Sequence, residues 1–201
     1  MATINWPNAP AFVPRALRFS ASTPKSAYGA FFTGQVQSVG HLADRLRCTI
    51  SLPPCDAVAG QAREAFFLGL ASTGDWVRLQ HLHRSEPLGT LRGLPTVAAN
   101  ALAGARTLLV QTTAAVTLVG GDMLGTGNQL LMTGYDGALA NGVGVISMPL
   151  VLPLALPVTA GAVVTWQAPV GTFQLAADAV GVDYGRGRWQ AAIDLTFMQA
   201  L

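Results

Sequence analysis

With 201 residues, the chain is long enough for one large domain or two small ones. Hydrophobic residues make up 51% and charged residues 11%, against the roughly one-quarter usual in soluble domains, so part of its apolar surface is expected to be covered by neighbours. The net charge of +2 and the absence of a Lys/Arg run exclude the electrostatic footprint of a specific nucleic-acid binder; Lys25 is the single lysine, and arginine suits interfaces better.

Residues 1–30 are rich in proline, alanine and serine, with Trp6, Phe12 and Phe19 as isolated anchors. The opening MATINWPNAP has neither the basic start nor the apolar run of a signal peptide. The pattern predicts an extended arm ending in a strand over Arg15–Ser20. The arm either packs back on its own domain or reaches onto a neighbouring subunit. Ala30–Gln37 reads as a short strand or turn.

The segment Leu42–Ala71 carries the clearest signal. Leu42, Leu46, Cys48, Ile50 and Leu52 alternate with Arg45, Arg47, Thr49 and Ser51, broken only by Asp44, which predicts a strand with one face in a core. Pro53-Pro54 stops ladder pairing, because proline has no N–H to donate. Asp56 is placed to cap a helix over about 56–71, with an apolar stripe of Ala59, Ala62, Ala65/Phe66 and Leu70 and with Gln61, Arg63 and Glu64 off it. Gly74 closes the unit, and Asp75–Leu82 is the next strand. Turn residues then dominate from Arg84 to Ala105.

Residues 106–167 read as short strands separated by turns at Val119–Asp122, Thr126–Asn128 and Asp136-Gly137, a small barrel or sandwich. The apolar stretch Val143–Val158 is interrupted by Pro149, Pro153 and Pro157, so no membrane-spanning helix is expected. Longer alternation returns at Thr172–Asp178 and in the last strand, where Trp189, Ala191, Ile193, Leu195 and Phe197 share a face. This strand and the central one are expected in one sheet. The architecture that follows is mainly β. Residues 1–95 plus 168–201 form a β-sandwich-like domain with one helix, and 96–167 form an inserted small β-barrel.

Residues suited to catalysis each have a structural reading. His41, His81 and His83 could supply three metal ligands, but they lack fixed spacing and a nearby acidic or Cys ligand, so they read as strand-edge histidines. Asp122 and Asp136 read as turn formers. The loop 181–188 (GVDYGRGR) lacks the Lys-Ser/Thr of a phosphate loop. Trp76 and Trp189 could line a sugar groove but are needed to fill apolar strand faces. Cys48 and Cys55 read as buried thiols in a chain made in a reducing cytoplasm. No catalytic, cofactor-binding or metal-binding residue is assigned, and no enzyme activity is expected.

The order of pieces resembles siphophage tail structural proteins of the distal-tail or baseplate-hub kind. The residues that carry it are Phe32-Thr33-Gly34-Gln35, Leu52-Pro53-Pro54, Ala62–Leu70, Gly121-Asp122 and Asp136-Gly137. Ile146 with Pro149 and Leu150, Gly161 with Val163/Val164, and Pro169, Gly171, Phe173, Leu175 and Trp189 complete it. The resemblance covers about residues 15–197. It implies a virion protein, assembled in the host cytoplasm: a structural subunit of a tail-tip or baseplate ring, by family a hexameric one. The partners it implies are copies of the chain, the tail tube protein and hub or fibre proteins. The alternative is a carbohydrate-binding or host-attachment module at the tail tip. A glycan hydrolase is disfavoured, because no isolated pair of carboxylates falls in an expected cleft.

Overall fold

The computed structural model describes residues 1–23, 25–29, 36–40, 44–82, 84–176 and 190–200, with backbone alone at 25–29 and 36–40. The Phe32–Gln35 box, the strand start at Leu42, His41, His83, the loop 181–188 and Trp189 lie outside these residues. Among the described residues the strands of the first region are β1 (Thr3–Asn5), β2 (Ala16–Ser22), β3 (Lys25–Gly29), β4 (Val36–Gly40), β5 (Arg45–Leu52) and β6 (Trp76–Gln80). Those of the middle region are β7 (Thr96–Val97), β8 (Thr107–Gln111), β9 (Thr117–Leu118), β10 (Met123–Thr126), β11 (Gln129–Met132), β12 (Ala138–Leu139) and β13 (Val145–Pro149). The chain then returns through β14 (Val170–Leu175) and β15 (Ile193–Gln199). The fold is mainly β with a single helix, α1 (Ala57–Thr73), among the described residues.

A six-stranded sheet in the order β1-β6-β14-β15-β5-β2 organises the first region. The β1–β6 pair is parallel and the other pairs are antiparallel. The central and final strands are neighbours, with Ile50 opposite Leu195 and Cys48 opposite Phe197. On the other side of β5, Leu17 and Phe19 meet the same two residues. This register puts Leu46, Cys48, Ile50, Leu52, Val77, Leu79, Phe173, Leu195 and Phe197 in one buried cluster. Full burial of each such side chain is worth about 1.5–3 kcal/mol. The opposite face carries Arg18, Arg47, Arg78 and Asp194, all exposed.

The helix forms where the capping chemistry predicts. Asp56 accepts from the Ala59 N–H at 2.8 Å, and Gly74 ends the helix in the left-handed region at φ 64°. Its buried stripe differs from the expected one: it is Gly60, Arg63, Phe67 and Leu70, while Ala62 and Ala65 are exposed and Phe66 is half-buried. The physical reason is Arg63, which is 1% exposed. Its guanidinium donates from Nε to Ala11 O and from Nη1 to Pro53 O, both at 2.6 Å. Two backbone carbonyls that the strands leave unpaired are thus satisfied by a charged side chain, which turns the helix about one residue away from its alanine stripe.

The N-terminal arm packs back on its own domain. Ala2 N–H donates to Asp75 at 2.6 Å, which holds that carboxyl below its usual range, and β1 then runs parallel to β6. A 3-10 turn at Pro10–Phe12 buries Phe12. The Trp6 ring meets Phe12, Phe66 and Phe197 edge-on, each at 6.0 Å, and its Nε1–H donates to Phe12 O. Phe12 is therefore a core residue and is not available to a neighbouring subunit.

A second buried cluster draws on the middle region: Leu91, Val97, Leu108, Val110, Leu118, Leu124, Ile146, Met148 and others up to Val164. Its strands form the three-stranded sheet β13-β8-β7 and the pairs β10-β11 and β12-β9. These sheets are open, so the barrel expected for 96–167 does not close among the described residues. Strands of two to five residues separated by turns supply too few ladder bonds, and Pro153 and Pro157 cannot donate to a neighbour. Single bridges such as Thr96–Val163 and Gly125–Thr165 join the pieces instead. Met123 and Leu130 reach out of this region into the first cluster. No described helix is long and apolar enough to cross a membrane.

Candidate functional site

Asp122 holds together three segments of the middle region. Its carboxylate is 4% exposed and accepts three backbone N–H groups. Oδ1 takes Leu88 at 2.8 Å, and Oδ2 takes Gly89 at 3.0 Å and Val119 at 2.8 Å. Arg84 Nη1 adds a bond to Gly121 O at 2.9 Å. The backbones are pressed close. A Cβ on Gly89 would lie 2.3 Å from Thr117 O, and one on Gly120 would lie 2.2 Å from Tyr135 O. Only glycine fits at either place. Leu139 lies opposite Thr117 in the β12–β9 pair.

Three adjoining segments, fixed by one carboxylate and two glycines, thus present Leu88, Val119, Tyr135 and Leu139 outward. Leu88 is 86% exposed and Tyr135 95% exposed. Elsewhere on the same region Leu94, Leu102 and Val143 are also exposed. Apolar side chains displayed on a rigid frame are suited to burial by another surface, because ordering costs are already met by the fold.

The groove between the two regions is the second feature. It has a volume of about 640 Å³ and runs from the N-terminal arm and the start of β2, past the ends of β6 and β14, to the β10–β11 turn. Its floor includes Leu17, Ile50 and Leu79, and Trp6 lines its wall. The turn at its far side holds Gly127 and Asn128 at φ 54° and 65°, and Thr172 donates to Asn128 O, seating that turn against the start of β14.

His81 stacks on Phe19 at 5.1 Å, while His41 and His83, the remaining members of the possible trio, lie outside the described residues. Among the described residues no group of three or more His, Cys, Asp or Glu side chains could hold a metal ion. Asp136 is exposed in the turn closed by Gly137, at φ 66°. Trp76, expected to fill an apolar strand face, is instead half-buried on the face opposite the buried Val77, beside Arg78 in the alternation and outside both core clusters. Both cysteines are free thiols. Burial pushes Cys48 up to about 12, and Cys55 is raised too, chiefly by desolvation, while its Sγ donates to Gln190 Oε1 at 3.0 Å.

Sequence reasoning found Asp122 as a turn former, and its bond to Val119 is of that kind. The bonds to Leu88 and Gly89 cross 34 and 33 residues and left no trace in local spacing. The groove was missed because its polar residues come from separated segments. No protein-family model matches this chain, and no curated protein matches it.

Proposed function

We propose that the protein is a structural subunit of a phage tail-tip or baseplate ring, of the distal-tail kind, joining the tail tube to the tip and receptor-binding apparatus. The observation that carries this reading is the rigid apolar corner built around Asp122. It spends a buried carboxylate and two obligatory glycines on displaying Leu88, Val119, Tyr135 and Leu139 to solvent. Such a display is costly for a free subunit and favourable once a neighbour covers it. The outer edge of β2, unpaired among the described residues, offers a further contact, since such an edge accepts a strand from another chain.

In this reading the partners are copies of the chain, the tail tube protein and hub or fibre proteins, and the protein resides in the virion tail. Its part is mechanical and needs no catalytic residue. Ring contacts are head to tail and close only at a fixed rotation; the family resemblance implies sixfold. Electron-microscopic imaging of the protein mixed with tail tubes tests it. Closed rings capping tube ends are expected, and a single asymmetric copy or no binding would overturn the proposal.

A further inference from the structure

The groove between the two regions collects polar side chains that the fold itself does not use. Asn5, Asn8, Arg78, Gln80, Asn128 and Gln167 all line it, and all are exposed. None of the six side chains has a hydrogen-bond or ion-pair partner among the described residues. Five are planar amides, each presenting a donor and an acceptor side by side, and the sixth is a guanidinium with donors in a fixed fork. Among the described residues no Asp or Glu lines the groove, so they offer no carboxylate to a cation and no acid–base pair to a scissile bond. Beneath the polar rim lies the apolar floor of Leu17, Ile50 and Leu79, beside Trp6. At about 640 Å³ the groove falls within the roughly 300–1,000 Å³ of small-molecule sites, which combine an apolar lining with a few convergent polar groups.

We propose that this groove binds a short oligosaccharide without cleaving it. Vicinal hydroxyls donate and accept at adjacent atoms, which is what a side-chain amide matches, and the C–H face of a sugar ring suits an apolar floor. An extended peptide is the competing ligand, and the sheet order argues against it. Strand addition needs an unpaired edge. β6 and β14, which bear Arg78, Gln80 and Thr172, lie inside the sheet, while β1 and β2, which end it, contribute only Asn5 and Leu17 to the groove among the described residues. A ligand here is held by side chains. The site is independent of the assembly reading, because every lining residue belongs to one chain.

Titration calorimetry of the full chain with maltotriose, lactose, chitotriose and sialyllactose tests it. At least one is expected to bind. The Arg78→Ala/Gln80→Ala variant is expected to lose tenfold or more in affinity, with unchanged circular dichroism. Gln61→Ala, on the exposed side of α1, is expected to bind like the parent. Absence of binding by all four sugars, or affinity unchanged in the double variant, would overturn the proposal. So would binding of an end-blocked leucine–alanine tetrapeptide with none of the sugars.

Discussion

The two regions of this molecule reach the same end by different means. The first buries its core under long, alternating strands: β5 alone contributes Leu46, Cys48, Ile50 and Leu52 to one face. Its stability is written in periodicity. The middle region has strands of two to five residues, and side-chain clamps set its geometry: Asp122 on Leu88, Gly89 and Val119, and Gln129 on Ala155 and Leu156. The first region is therefore expected to be sensitive to volume. The middle one is expected to be sensitive to single polar groups.

Removing residues 1–14 should give the largest loss. It strips β1, Trp6 and Phe12 from the first core and leaves Arg63 buried without Ala11 O. The truncated chain is expected to show no cooperative unfolding in a denaturant titration, and near-normal unfolding would mean the arm is an accessory. Phe67→Ala comes next, at about 3–5 kcal/mol, as a fully buried large-to-small change, measured from the shift in denaturation midpoint. Phe66→Ala, at a half-buried position, should cost clearly less; the reverse order would restore the alanine stripe as the buried one.

Arg63→Met should cost about 1.5–3 kcal/mol for each of the two charge-assisted bonds to carbonyls that it removes. Asp122→Ala should cost about 1–3 kcal/mol, and its loss should appear as faster amide exchange at Leu88, Gly89 and Val119 while β5 amides stay protected. Uniform exchange across both regions would contradict the division of labour. The smallest effect concerns Cys48. Its folded pKa lies above the ordinary value, so its contribution is complete below 9.0 and is lost as pH rises toward about 12. At neutral pH a thiol reagent should leave Cys48 unmodified until the chain unfolds.

What the sequence made legible follows the same division. The alternation of β5, the cap at Asp56 and the stop at Gly74 could be read because each rests on neighbours in sequence; that β5 and β15 share a sheet followed from their matching alternation, but their direct pairing did not. Arg63 could not, since an arginine reads as a surface residue unless its distant acceptors, Ala11 and Pro53, are known. Trp6 and Phe12 were visible as anchors, but the surface they anchor to was not. The turns of the middle region were placed well. Closure into a barrel was not decided by them, because closure depends on stagger between strands that local pattern does not carry. The groove's six polar residues look like ordinary loop chemistry until the fold brings residues 5 and 167 to one cleft.

The central claim is that the corner around Asp122 exists to be covered by another subunit. Native mass spectrometry of the full chain and of Tyr135→Asp, each mixed with tail tube protein, tests it most directly. Tyr135 is 95% exposed, so the substitution should leave the fold intact. The parent is expected to appear as one closed oligomer and the variant as a folded monomer. A parent that stays monomeric on the tube, or a variant that assembles as well as the parent, would contradict the account.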